Sequence, residues 1–201
     1  MENPTPWILE TARLNPRGQA STERELRRIY DSGDEVARVA AARFLYSWRS
    51  KRGYELANEW FDEEASPAVL DWILVRYSLV DGWPTFDRFK SLLVDPKLPP
   101  ELVDCVVDRF SDLIHYGNRN PRYKEGLQLI ARQLSHPSPE VRWTAIFSLA
   151  KIHAANHRDQ IARLTTDEAK SAYGYVSRAA KNALRHLDGE PDVDLHDASS
   201  P

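Results

Sequence analysis

The stretch that decides the fold is Pro139-Glu140-Val141-Arg142-Trp143-Thr144-Ala145-Ile146-Phe147-Ser148-Leu149. Val141, Ala145 and Leu149 follow one another at intervals of four, so they share one face of a helix. Ser138 and Pro139 stand before the first of them, and both residue types are typical of a helix start. The stretch therefore predicts an amphipathic helix that begins near Pro139.

The same pattern occurs five times along the chain. The first members of the five sets are 33, 33, 39 and 35 residues apart; they are Val36, Val69, Leu102, Val141 and Val176. We call these segments the B helices. Each follows another amphipathic segment, an A helix; the A segments are 23–30, 54–61, 86–94, 123–134 and 157–164. A period near 35 residues predicts helical hairpins that stack on one another. A further segment at 7–14 is predicted to cap the first hairpin. Sustained alternation of polar and apolar residues between turns does not occur in the sequence, so no sheet is expected.

Two of the B segments resemble the HEAT-repeat family. The stretch 139–149 has the family's Pro, Val-Arg, Ala and Leu positions, and 176–184 is the next best match. Leu70 and Val103 depart from the family, because they stand where an Arg is expected. The resemblance covers roughly residues 20–187. It implies an all-α fold, a right-handed α-solenoid of about five HEAT-like hairpins with an N-terminal capping helix, in which the B helices line a concave surface. An ordinary helical bundle is the alternative.

Composition narrows the class of protein. The chain has 201 residues, 27 Lys and Arg, 30 Asp and Glu, and a formal charge of −3. Residues 188–201 hold five of the acids and no Lys or Arg, so residues 1–187 carry +2. We expect 1–187 to be the solenoid domain and 188–201 to be an acidic flexible tail. The near-neutral body argues against a dedicated nucleic-acid binder.

A single cysteine, Cys105, favours a reducing, cytoplasmic location. Apolar runs are too short for a membrane span.

The B-helix positions that point away from the expected core form a predicted partner-binding ribbon. Its members are Asp71, Leu74, Val75, Asp104, Asp108, Trp143, Phe147, Arg178, Lys181 and Arg185. If Trp143 and Phe147 are exposed, they are natural anchors for a partner; alternatively they pack between repeats. The aspartates are either a strip that orients a basic partner or an ordinary solvated face.

Three arginines share one position of the repeat. Arg43, Arg76 and Arg109 are 33 residues apart and are predicted to face inward. A buried guanidinium needs carboxylate or carbonyl partners, so we expect a structural ladder between adjacent repeats, with ligand binding as the alternative. The basic loop 117–124 lengthens one repeat and is either a tolerated linker or a functional loop.

Motifs of catalysis or cofactor binding are sparse. The sequence has no glycine-rich phosphate loop and no G-x-S-x-G motif, and His153 and His157 have no evident third ligand for a metal. We therefore expect no metal or cofactor and a non-catalytic module that binds a protein. In length and architecture the chain resembles small bacterial HEAT proteins, some of which act as immunity proteins or antitoxins; a regulatory adaptor is a related possibility. The alternative is an enzyme similar to the alkylpurine DNA glycosylases, with Trp143 and Asp104 or Asp108 as its site and the basic loop on the phosphate backbone.

Overall fold

The computed structural model of the chain describes residues 19–31, 34–48, 51–64, 66–78, 83–116, 122–190 and 193–195. These residues are mostly α-helical, which confirms the predicted all-α class. The chain divides into two compact units, Met1–Leu79 and Val80–Pro201. The predicted capping segment at 7–14 lies outside the described residues.

The described part of the first unit contains four helices. They are α1 (Gln19–Tyr30), α2 (Glu35–Ser47), α3 (Lys51–Glu63) and α4 (Pro67–Ser78). Helix α2 packs against α4, while α1 lies on α2 and α3 lies on α4. Tyr30 and Trp60 stack face to face, with ring centroids 4.0 Å apart, and join the two A helices. Two A–B hairpins therefore pack through their B helices, as the period predicts.

The described part of the second unit contains six helices and one hairpin. The elements are α5 (Trp83–Leu93), α6 (Pro100–Tyr116), α7 (Tyr123–Arg132), α8 (Pro139–Lys151), α9 (Arg158–Ala162), β1 (Lys170–Ser171), β2 (Gly174–Tyr175) and α10 (Val176–Leu187). Short 3-10 turns at Gln133–Ser135 and Ala155–His157 extend the A segments. The B helices α6, α8 and α10 pack side by side in that order, and each contacts the A helix that precedes it.

Two of the helix starts that the sequence predicted, those of α2 and α8, are capped differently. Asp34 caps α2, because its carboxylate accepts a hydrogen bond from the Val36 N–H at 2.9 Å. Ser138 takes the capping position of α8, but its hydroxyl donates to Glu140 at 2.7 Å instead of accepting from the backbone. Helix α8 ends at Lys151, and two residues later the φ of 52° at His153 lets the Ala154 N–H reach the Leu149 carbonyl at 2.9 Å.

The expectation of no sheet is wrong at one place. Strands β1 and β2 pair antiparallel, Lys170 with Tyr175 and Ser171 with Gly174. Gly174 has a φ of 125°, a backbone conformation that residues other than glycine rarely adopt. The hairpin escaped detection because each strand has only two residues, too few to show alternation.

The predicted orientation of the B helices is also wrong in part. Leu74 and Asp104 were expected to point away from the core and are buried, whereas Val36 was expected in the core and is 76% exposed. The reason for these errors is that a B helix packs against several neighbouring helices. Helix α8, for example, contacts α6, α7 and α10, so more than a single stripe of its surface is covered. A narrow solvent-facing ribbon consequently does not run along these helices.

Candidate functional site

The second unit brings four side chains from three elements to one place. Asp104 lies on α6, Thr144 lies on the adjacent α8, and Tyr173 lies in the turn of the hairpin between β1 and β2. The Thr144 hydroxyl donates to Oδ1 of Asp104, and the Tyr173 hydroxyl donates to Oδ2 at 2.5 Å. Trp143, next to Thr144, packs against Tyr173. Three segments distant in sequence therefore meet at one carboxylate.

An aromatic cluster of Trp143, Phe147 and Tyr173 lies beside this carboxylate. The rings of Trp143 and Phe147 stack with centroids 5.5 Å apart, as their spacing of four along α8 allows. The Tyr173 ring lies 5.0 Å from that of Trp143. Trp143 is only 5% exposed, whereas Tyr173 is 47% exposed. Of the two alternatives for Trp143, the structure therefore shows packing, since its ring lies against those of Phe147 and Tyr173; Phe147 is half-buried.

Two further carboxylates lie close enough to Asp104 to affect its pKa. We call Asp104, Asp108 and Glu140 the acidic group. Burial raises the pKa of Asp104, which is 7% exposed, and the charges of Asp108 and Glu140 add to this, while the two hydroxyl bonds oppose it. Burial, followed by the bond to Asp104, raises the pKa of the Tyr173 phenol. Tyr173 therefore stays protonated at neutral pH and acts as the donor.

The other residues of the predicted ribbon are distributed over both units. Asp108 is half-buried and pairs with Arg109 at 3.0 Å. Asp71, which is half-buried, and Leu74, which is buried, belong to the first unit, and the side chain of Val75 lies outside the described residues. Helix α10 carries the three predicted cations, Arg178, Lys181 and Arg185, and Arg185 pairs with Glu190 at 2.6 Å. The structure thus brings together Asp104, Asp108, Trp143 and Phe147.

The three arginines of the predicted ladder were expected to face inward and to join adjacent repeats, and the described side chains differ from this. Arg43 is exposed rather than inward, and its guanidinium lies 5.1 Å from the Trp72 ring centroid. Arg109 lies 3.0 Å from Asp108 and 3.9 Å from Asp112, both on its own helix. The side chain of Arg76 lies outside the described residues. Of the two arginines whose side chains are described, Arg43 is therefore not inward, and the printed ion pairs of Arg109 stay within its own helix.

An arginine that does join separate segments is Arg142. Its guanidinium binds both carboxylate oxygens of Asp167 at 2.8 and 3.2 Å and the carbonyls of His136 and Pro137 at 2.9 and 2.8 Å. Asp167 in turn accepts from the Ala169 N–H, directly before the hairpin. Arg142 therefore ties the start of α8 to the base of the hairpin.

Sequence reasoning missed two members of the site, Thr144 and Tyr173. Thr144 gave no signal in the sequence, because its role depends on Asp104 of the neighbouring helix α6. Tyr173 had a weak signal: residues 163–175 between α9 and α10 form a long connection that ends in Tyr173-Gly174-Tyr175. Such connections frequently carry functional side chains on a rigid scaffold.

The described residues offer little for a metal or a membrane. Groups of three or more His, Cys, Asp and Glu side chains arranged for a metal ion are not found in this part of the chain. His153 stacks on His186, and His157 contacts Gln160. Within the described ranges, the helices are too short or too polar to cross a bilayer. In comparisons with known proteins, the chain matches no family model, no curated protein and no solved structure.

Proposed function

We propose that this chain is a non-catalytic module that binds a protein partner, built as a HEAT-like α-solenoid of about five hairpins. The binding surface is the aromatic cluster together with the acidic group of the second unit. The pairing of A and B helices within each unit supports the repeat architecture. The partner that fits this surface presents Arg or Lys side chains.

The observation that carries the proposal is that an aromatic cluster lies beside a carboxylate, with one of its rings partly exposed. The Tyr173 ring is 47% exposed and Phe147 is half-buried, so both offer ring faces or edges to a partner. A guanidinium is attracted to such rings and is also a good donor to carboxylates such as Asp108. Aromatic residues and arginines are the residue types that most often dominate protein interfaces. A basic segment would therefore satisfy both parts of the surface.

The alternative function, an enzyme similar to the alkylpurine DNA glycosylases, has one observation in its favour. Trp143 and Asp104 lie in the same site, linked by Tyr173. Both oxygens of the Asp104 carboxylate, however, already accept hydroxyl hydrogen bonds from within the chain. The cluster is also surrounded by carboxylates, which repel a phosphate backbone. Tight binding of duplex DNA with a steep dependence on salt would favour the enzyme over the binding module.

Affinity measurements on variants test the proposal. A partner is co-purified from the native host, and its affinity for the purified chain is measured by calorimetry. We expect Phe147→Ala to weaken binding about 10-fold or more, since it removes half of the stacked ring pair, and Asp108→Asn to make binding less sensitive to salt. Gln128→Ala on the exposed side of α7 is the matched control. Equal affinities for Phe147→Ala and Gln128→Ala would contradict the proposed surface.

A further inference from the structure

The hairpin contacts two helices that precede it in the chain, α8 and α6. It lies between α9 and α10 in sequence, yet its turn contacts α8 through Trp143 and α6 through Asp104. Tyr173 thereby covers the Trp143 indole, which belongs to the proposed binding surface. The segment 169–175 is consequently placed to control access to that indole.

The base of the hairpin is held firmly. Asp167 is bound by Arg142 through two hydrogen bonds, and its carbonyl accepts from the Ser177 N–H at 3.0 Å. The Val176 N–H donates to the Ala169 carbonyl at 3.0 Å and closes the two ends of the segment. These contacts fix where the hairpin leaves and rejoins the helical body.

The turn of the hairpin is internally bonded. The Ser171 hydroxyl donates to the Gly174 carbonyl at 2.9 Å, and it accepts from the Tyr173 N–H at 3.0 Å. Both bonds lie within the hairpin and involve no residue of the helices. The strands themselves have two residues each, too few to be stable without tertiary contacts.

The attachment of the turn to the helices rests on carboxylates. Tyr173 donates to Asp104 of α6, and the backbone of Ala172 lies close enough to Glu140 of α8 to lower the pKa of that carboxyl. Asp104 is buried close to two other negative charges, which is an unfavourable setting for a carboxylate. Opening the turn would let water reach this acidic group, so the hydrogen bonds that are lost are partly replaced.

We infer that residues 169–175 form a strap that opens as a local unit while α6, α8 and α10 stay folded, with the Tyr173 hydroxyl on Asp104 as its latch. Opening uncovers Trp143 and enlarges the aromatic surface. The inference rests on the proposed function only for what the uncovered indole then binds. The opening itself is a property of the isolated chain.

Cys105 is a natural reporter of the opening. It is the single cysteine of the chain, it is half-buried, and it lies close enough to Tyr173 to affect the pKa of that phenol. The test is the rate at which an excess of the thiol reagent DTNB labels Cys105 in the folded full-length chain. Tyr173→Phe removes only the hydroxyl, and we expect it to accelerate labelling about 10-fold or more, as loss of a charge-assisted hydrogen bond implies.

Tyr175→Phe is the matched control, because it removes a hydroxyl from the same hairpin. The Tyr175 ring lies near Lys170, 5.5 Å from its Nζ. We expect the labelling rate of this variant to stay within about 2-fold of the parent protein, since its hydroxyl is not the latch. Equal or slower labelling of Tyr173→Phe relative to this control would overturn the strap.

Hydrogen exchange separates local opening from general loosening. In Tyr173→Phe the amide of Tyr173 is expected to exchange faster, while those of Ala145 and Leu149 in α8 keep their parent rates. Equal acceleration in α8 would overturn a local strap, because the whole unit would then be opening. Neither measurement involves a partner, so a failure here is distinct from a failure of the proposed binding function.

Discussion

Arg142 shows how much one side chain can organise in this protein. It is largely buried, with 14% of its side chain exposed, and it bonds a carboxylate and two carbonyls from separate segments. A planar guanidinium can serve all of these acceptors at once, which a lysine ammonium cannot. The Val-Arg pair that led to the HEAT resemblance thus has a structural explanation in the contacts that this arginine makes.

We predict that Arg142→Ala lowers the free energy of unfolding by about 1–2 kcal/mol, because it leaves a part-buried carboxylate and two carbonyls without their charged donor. Arg142→Lys should recover less than half of the loss. Urea denaturation measures both effects, and Arg163→Ala, at an exposed position, is the control. A loss below about 0.5 kcal/mol for Arg142→Ala would show that the network contributes no more than a surface ion pair.

Contacts between helices α6 and α7 depend on a glycine. A Cβ atom on Gly126 of α7 would lie 2.4 Å from Cδ1 and 2.9 Å from Cγ1 of Ile114, which is buried in α6. Alanine favours a helix by about 1 kcal/mol over glycine, but crowding a packed core costs about 1–3 kcal/mol. The close approach of these two helices therefore requires glycine at this position.

We predict that Gly126→Ala is destabilising by about 1 kcal/mol, as measured by urea denaturation. Adding Ile114→Val, which removes the Cδ1 atom, should return part of this loss even though the single Ile114→Val change is itself destabilising. A Gly126→Ala protein that is more stable than the parent would contradict the packing argument.

The sequence was most informative about elements and least informative about their surroundings. Spacings of four identify a helix face because 3.6 residues make a turn, so Val141, Ala145 and Leu149 located α8 correctly. Which additional faces are covered depends on neighbouring helices, and for this reason Leu74 was misplaced and the burial of Trp143 stayed open. Asp104 and Trp143 were selected from the sequence, but Tyr173 is 69 residues from Asp104 and only the fold brings them together.

At the scale of the whole molecule, each unit has a network of arginines and glutamates at its surface. In the first unit, hydrogen bonds from Arg52 and Arg27 hold the pKa of Glu23 at about 2. In the second, Arg122 and Lys90 hold the pKa of Glu125 at about 2. Because the ordinary value is 4.5, the folded state favours the ionised form of both glutamates. Their stabilising effect is complete above about pH 4.5 and is lost as the pH falls towards 2.

We predict that the double variant Glu23→Gln, Glu125→Gln melts at a lower temperature than the parent protein at pH 6, and that this difference closes as the pH approaches 2. High salt should also reduce the difference, because the groups lie at the surface. The melting temperatures of the parent protein and the variant are measured by calorimetry at a series of pH values. Gln128→Glu, at an exposed position, is the control for a change in surface charge. A difference in melting temperature that is independent of pH would contradict the assignment.

The most direct test of the binding surface is site-specific photo-crosslinking in the native host. A benzophenone amino acid is placed at position 147 of α8 in one variant. In a second variant it is placed at position 128, on the exposed side of the preceding A helix, α7. We predict a discrete protein adduct from position 147 that position 128 does not give, and peptide mapping of the adduct should reach a segment rich in Arg or Lys. The same adducts from both positions, or crosslinks from position 147 to nucleic acid, would contradict a protein-binding surface at the aromatic cluster.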